Sequence, residues 1–368
     1  MMYSVSLPSL SKQELRDWLV ATTLQLVEVS SPTGDERELC DIVEARLRTM
    51  PDLIVERVGD SVAAHRPWTG RPKVALVGHL DTVPKSEGQE PTRVEGDRLY
   101  GLGASDMKAG DAVMLGLLEL VESSDLVYDL CIILYDAEEG PYDESGLGPL
   151  FDALDWVKSV DLAFCLEPSD NVVQVGCVGS FHAKLTVKGR ACHSARPWQG
   201  ENAIHKSGAL MSLLGSLEPK VVNVAGHNFS EVISATVVNG GRARNVIPDS
   251  CTFNINFRFA PGRSEEEAFS ELVDLVGDLA EVELLDSCPS GSVVSNSPLF
   301  DRFLSLTGAE VTAKQAWTDV ARFAQIGVDA VNYGPGISSQ AHQATEYVDI
   351  DLIVDSYCSF HNFLTTKS

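Results

Sequence analysis

Three short apolar runs, KVALVG (73–78), LCIILY (130–135) and DLAFCL (161–166), restrict the fold of this chain more than any other feature. Each is too short for a buried helix and hardly alternates with polar residues, which is the pattern of a strand covered on both faces. Between the first two lies DMKAGDAVMLGLLELVE, with apolar residues at helical spacing behind a candidate cap, Asp106. Strand, helix, strand in that order predicts an α/β sheet that is at least partly parallel. Ahead of it, 13–28 and 36–49 read as helices joined by the turn SPTGDE.

The middle of the chain has another rhythm. FHAKLTVKG reads as a strand, 202–215 as a helix, EVISATVVNGG and SCTFNINFRFAP as strands, SEEEAFSELVDLVGDL as a helix and EVELLD as a strand. That β-α-β-β-α-β order is the split-βαβ pattern of a ferredoxin-like domain. The loop SCPSGSVVSNSP then leads back to a helix (LFDRFLSLTG), a strand (DAVNYGPG) and a last helix over 349–365. The expected architecture is an α/β domain, 1–178 and 288–368, interrupted by a smaller inserted α+β domain, 179–287.

The apolar runs end in residues that bind metals. VALVGHLD ends in His79 with Asp81 two on, CIILYDAEE in Glu138 and Glu139, LAFCLEP in Glu167, and AVNYGPG is followed by AHQATE with His342. Asp106 sits in the glycine-rich turn GLGASDMKAG. Taken singly, each has an ordinary reading: a packed His-Asp pair, solvated charge, a turn, a helix cap. Together they do not, because ligands of open α/β sheets gather outside the carboxyl ends of the strands. Carboxylates crowded there repel unless cations lie between them. Two imidazoles and three carboxylates suit two zinc-like ions with one bridging carboxylate, ~3.5–4 Å apart. Neighbouring side chains on an extended segment point opposite ways. One glutamate of the pair can then bind metal while the other takes a proton from the attacking water.

Bulk properties narrow the partners. A net charge of −25 argues against nucleic acid and anionic membrane surfaces. No stretch approaches the ~20 apolar residues of a membrane helix, and the N-terminus shows no secretory leader. The eight cysteines have no CxxC spacing, and several lie inside apolar runs. The expectation is a cytoplasmic protein without a disulfide frame.

The motifs GHLDTVP, GLGASDMKAG, EEG, EP, GRACHSARP, RNVIP and GPG…AH…E, in this order, resemble those of the M20 family of co-catalytic metallohydrolases from about residue 28 onward. SDMKAGDAVML, ENAIHK, NFRFAPGRS and WTDVARF narrow the likeness to succinyl-diaminopimelate desuccinylases of the actinobacterial type. The resemblance implies a zinc-peptidase-like catalytic domain with an inserted lid and dimerisation domain. It further implies two Zn²⁺ ions, with Co²⁺ able to substitute. One ion would be held by His79, Asp106 and Glu167, the other by Asp106, Glu139 and His342. Asp81 would orient His79, Glu138 would be the general base, and the Asp106–Met107 peptide would be cis. His193 and Asn245 would reach the active site of the neighbouring subunit in a homodimer, His193 as an oxyanion donor. The substrate would be a small N-acyl amino acid. Arg258 and Arg196 are the candidates for its carboxylates, and Ser180 and Gly336 are further binding positions.

The chain also departs from that pattern. Cys177 and Val178 stand where better-known desuccinylases carry basic residues before Gly-Ser, and Thr345 stands in place of Asn or Asp. The rival readings are an N-acetylornithine deacetylase or general aminoacylase, and a non-catalytic binding protein on the same scaffold.

Overall fold

The computed structural model describes residues 10–367; the first residues of the N-terminal stretch read for a leader, 1–9, lie outside them. The chain divides into two compact units. The first comprises Met1–Val175, Val294–Thr312 and Arg322–Ser368, the second Gly176–Val293 and Ala313–Ala321.

The apolar runs become the strands Lys73–His79, Asp129–Tyr135 and Leu162–Cys165, almost wholly buried. Asp129–Tyr135, Lys73–His79, Leu162–Cys165 and Ala330–Asn332 lie side by side in that order, all parallel. They form the centre of an eight-stranded sheet among the described residues. Ser61–His65 adds antiparallel to Asp129–Tyr135, and Val173–Val175 antiparallel to Ala330–Asn332, so the sheet is mixed. The helix Ala109–Leu120 is apolar on nearly every side and buried from Ala109 to Leu118, as an all-round hydrophobic helix must be. Phe164 on the third run packs against Phe303 and Phe360, with ring centroids 4.7 and 5.2 Å away. Those contacts fix the helices Pro298–Thr307 and Ile350–Thr365, which belong to the returning part of the chain.

In the second unit the strands alternate, as a sheet covered on one face requires. Gly179–Lys188 and Ser250–Phe259 bury every second residue. Their inward side chains, Phe181, Leu185, Phe253 and Phe257, form a core with Leu272 of the helix Glu265–Val276. That helix begins with a capping box between Ser264 and Glu267. The sheet order is Lys220–Val224, His227–Gly240, Ser250–Phe259, Gly179–Lys188, Glu281–Cys288. The last four, in that arrangement, are the ferredoxin-like order.

The first strand, Lys220–Val224, was not foreseen. Its hairpin turns on Ala225 and Gly226, both at positive φ (50° and 89°). A two-residue turn of this kind is normally signalled by Asn-Gly or Asp-Gly, and alanine hid it. The helix expected over 202–215 is two helices, Ala203–Lys206 and Gly208–Gly215, separated at Ser207. All eight cysteines are free thiols. Among the described residues no helix is long and apolar enough to cross a membrane.

Candidate metal centre

The segments leaving the four central parallel strands carry the chemistry. His79 closes its strand, Asp81 follows two residues later, Glu138 and Glu139 follow Tyr135, Glu167 follows Cys165, and His342 lies beyond Asn332. Asp81 is fully buried and joins its own segment to that of Glu138 and Glu139 and to the turn holding Thr33. Its Oδ1 accepts the peptide N–H of Glu138 and its Oδ2 that of Glu139, both at 3.0 Å. Oδ2 also accepts the Thr33 hydroxyl at 2.9 Å, and His79 Nδ1 is 3.3 Å from Oδ1. Burial alone would raise the Asp81 carboxyl; the His79 imidazole and the two peptide N–H groups outweigh it and hold the pKa below the usual aspartate value.

Asp106 faces one imidazole with each oxygen. His79 Nε2 lies 3.2 Å from its Oδ1, and His342 Nε2 lies 3.5 Å from its Oδ2. His342 Nε2 also meets Glu139 Oε1 at 2.8 Å. One ligand atom each from His79, Asp106 and Glu139 lies within 4.8 Å of the others. Glu167 is buried at its strand end but is not one of that trio. Asp106 is not the helix cap expected from the sequence. The helix starts at Ala109, and Asp106 lies in the preceding turn Ala104–Lys108 with extended backbone (φ −119°, ψ 92°). That conformation turns its carboxylate to the imidazoles instead of to the helix N–H groups. The Asp106–Met107 peptide is cis, as the resemblance implied.

These residues fit a divalent cation. The donors are imidazole nitrogens and carboxylate oxygens, the set taken by zinc-like ions. The cluster also demands positive charge. Burial would depress His79, yet its bonds to Asp106 and Asp81 leave its pKa well above the usual histidine value. The hydrogen bond to Glu139 lifts His342 to about 9. The two rings thus supply charge that a bound cation would replace.

Three contributors were not foreseen, two at this centre and one in the second unit. Thr33 comes from the SPTGDE turn. Glu346 is buried and accepts peptide N–H groups of the Asp106 turn. Gly336, expected as a binding position, packs closely against the same turn, since a Cβ on it would lie 2.0 Å from the Ser105 carbonyl oxygen. No periodicity marks such links; only the glutamate of GPG…AH…E hinted at one.

In the second unit, His193 pairs with Val246 in a short antiparallel bridge, and the Ser194 N–H donates to the Asn245 carbonyl at 2.9 Å. His193, Asn245 and Arg196 are exposed around one turn. His193 Nδ1 accepts the Ala195 N–H at 3.0 Å, which leaves the ring proton on Nε2. Ser180 stands opposite Arg258 on neighbouring strands. Asn256, a third contributor, links them: its Oδ1 accepts from Arg258 Nε at 3.0 Å and its Nδ2 donates to Ser180 Oγ at 3.2 Å.

The family model described as peptidase family M20/M25/M40 matches residues 75–366. The chain belongs to that peptidase family. An M20 relative, the DapE protein of Mycobacterium tuberculosis, is 38% identical over 340 residues, 92% of this chain and 95% of its own. The succinyl-diaminopimelate desuccinylase of Corynebacterium glutamicum is 34% identical over 354 residues, covering 94% and 96%. Aminopeptidase PepT of Bacillus cereus shares the fold with a TM-score of 0.79 over 95% of this chain and 98% of that one, at 16% identity. As an M20 member the chain is a hydrolase, with its candidate metal group at the strand ends where such a fold gathers ligands.

Proposed function

We propose that this hydrolase removes succinate from N-succinyl-LL-2,6-diaminopimelate, a linear amide, with two zinc ions. The observation that carries the chemistry is Asp106 set between His79 and His342, one oxygen to each, with Glu139 alongside. His79, Asp106 and Glu167 would hold one ion, and Asp106, Glu139 and His342 the other. When bound, the ions supply Lewis-acid polarisation and a lowered water pKa. Asp81, through its two peptide N–H bonds, holds the backbone of Glu138 beside that of Glu139. The Glu138 carboxylate accepts the proton of the water that adds to the amide carbon. It returns that proton to the nitrogen as the C–N bond breaks, releasing succinate and the free amine. His193 of the partner subunit would donate its Nε2–H to the oxyanion.

The substrate follows the desuccinylase relatives and the arginine chemistry. The succinylated diacid carries three carboxylates, and Arg258, held at Nε by Asn256, keeps its terminal nitrogens for a bidentate carboxylate contact. Arg196, Ser180, Asn245 and Gly336 are the further binding positions. Two measurements test the reading. With N-succinyl-diaminopimelate and N-acetylornithine compared directly, kcat/KM should favour the succinyl substrate by about 100-fold or more, because a site built for a carboxylate rejects an analogue lacking it. Equal or better turnover of N-acetylornithine would favour the deacetylase alternative. Chelation should abolish activity and Zn²⁺ or Co²⁺ should restore it; full turnover by verified metal-free protein would end the metal mechanism.

The expected assembly is a homodimer in the cytoplasm. The strand His227–Gly240 pairs on its outer side with Lys220–Val224 only as far as Glu231. Beyond that it leaves an open edge bearing Val237 and Val238, 52% and 57% exposed. An open, apolar edge supports two-fold pairing.

A further inference from the structure

Glu346 is 1% exposed, and the buried Lys108 ammonium, a cation that feels its charge, donates instead to the Val29 carbonyl at 2.9 Å. Its carboxylate is met by three peptide N–H groups of one turn. Oε2 accepts from Gly103 at 2.9 Å, and Oε1 accepts from Ser105 at 2.8 Å and from Asp106 itself at 3.0 Å. The Glu346 main chain is tied to the same places: its carbonyl accepts the Gly101 N–H at 3.1 Å, and its own N–H donates to Gln343 at 3.1 Å. Gln343 follows His342, which is held at φ +63°. One residue thus clasps the turn that presents Asp106 and closes the loop that presents His342.

A buried carboxylate is costly unless its oxygens are satisfied, and an apolar side chain would serve if the two loops only needed to pack. A fork that accepts from three N–H groups fixes orientation as well. The Asp106 N–H is among the three, so the bond acts on the backbone from which the shared carboxylate extends. We infer that Glu346 is a positioning residue of the metal centre, setting Asp106 against His342 so that both can bind the same ion. This rests on the reading of the cluster as a metal site, and it adds a residue that contacts neither ion nor substrate.

Glu346→Gln is the decisive variant. The amide keeps one acceptor oxygen and places an N–H₂ donor against a peptide donor, with volume and hydrogen-bonding length unchanged. Metal affinity is measured by calorimetric titration of the folded apo-protein, and geometry by the visible spectrum of the Co²⁺-loaded protein. The variant should bind the ion shared by Asp106 and His342 about 10–100-fold more weakly, the usual effect of losing an orienting partner. Its Co²⁺ bands should shift, and kcat should fall further than KM rises. Glu346→Asp, which keeps the carboxylate on a shorter stem, should recover part of the affinity.

If both variants bind metal like the wild type with unchanged Co²⁺ spectra, Glu346 merely joins two loops and the inference fails, even if thermal stability drops. Should Glu346→Gln not fold, Glu346→Asp carries the same comparison. A wild-type protein that binds no metal would instead defeat the functional reading on which the inference rests.

Discussion

Glu138→Ala is expected to bind two metal ions per chain like the wild type and to lose about 10²–10⁴-fold in kcat, the range of a general acid–base group. Glu139→Ala is expected to lose metal first. The difference follows from where each residue is held. Both peptides hang from Asp81, but the Glu139 carboxylate meets His342 at 2.8 Å and lies in the converging trio with His79 and Asp106. Removing it takes a donor from one ion. Removing the Glu138 side chain leaves the Asp81 bond to its peptide N–H in place, so the scaffold persists while the proton has nowhere to go. Metal content by elemental analysis, with kcat on the same preparations, separates the two. Matching metal content and matching kinetics in the two variants would show that the roles have been wrongly divided.

The second large effect concerns His193. Its Nδ1 is occupied by the Ala195 N–H, so the outward Nε2 is a fixed donor, the form an oxyanion needs. If that donor serves the neighbouring subunit, His193→Ala and Glu138→Ala should each be nearly inactive alone and complement each other when mixed. In a mixed dimer one site has an intact Glu138 and receives an intact His193, while the other lacks both. Random exchange makes half the dimers mixed, so activity should recover to ~a quarter of wild type by counting sites in a two-fold dimer. Confirmed subunit exchange with no recovery would exclude action across the interface.

What the sequence disclosed and what it concealed divide along a physical line. Buried parallel strands write themselves as unbroken apolar runs, and ligands cluster at their carboxyl ends. His79, Glu139 and His342 could therefore be placed together although 263 positions separate the first and last. The ferredoxin-like unit was legible by the other pattern, the alternation of strands covered on one face, which survives in FHAKLTVKG and SCTFNINFRF.

Asp106 was half legible. An aspartate before an apolar helical pattern has the signature of a cap, and only backbone conformation revealed that it turns away. Thr33, Glu346 and Asn256 act through hydrogen bonds between segments distant in sequence, and no local pattern encodes such bonds. The Lys220–Val224 strand was missed because Ala225 stands where turn chemistry favours asparagine or glycine.

The grip of Asp81 on two consecutive peptides makes this stretch intolerant of any change in length. Ala137, just ahead of them, is itself left-handed (φ 56°) and gives its N–H to Glu36 at 3.2 Å. A single residue gained or lost between Tyr135 and Gly140 would bring a different pair of amides to Asp81. The proton carrier and the ligand would then exchange stations or leave them altogether. Exposed loops elsewhere in the chain can drift in length at little cost, since loop closure depends only weakly on residue number. Loop grafting between such enzymes should therefore treat 136–139 as a fixed-length cassette, to be moved only together with the aspartate that reads it.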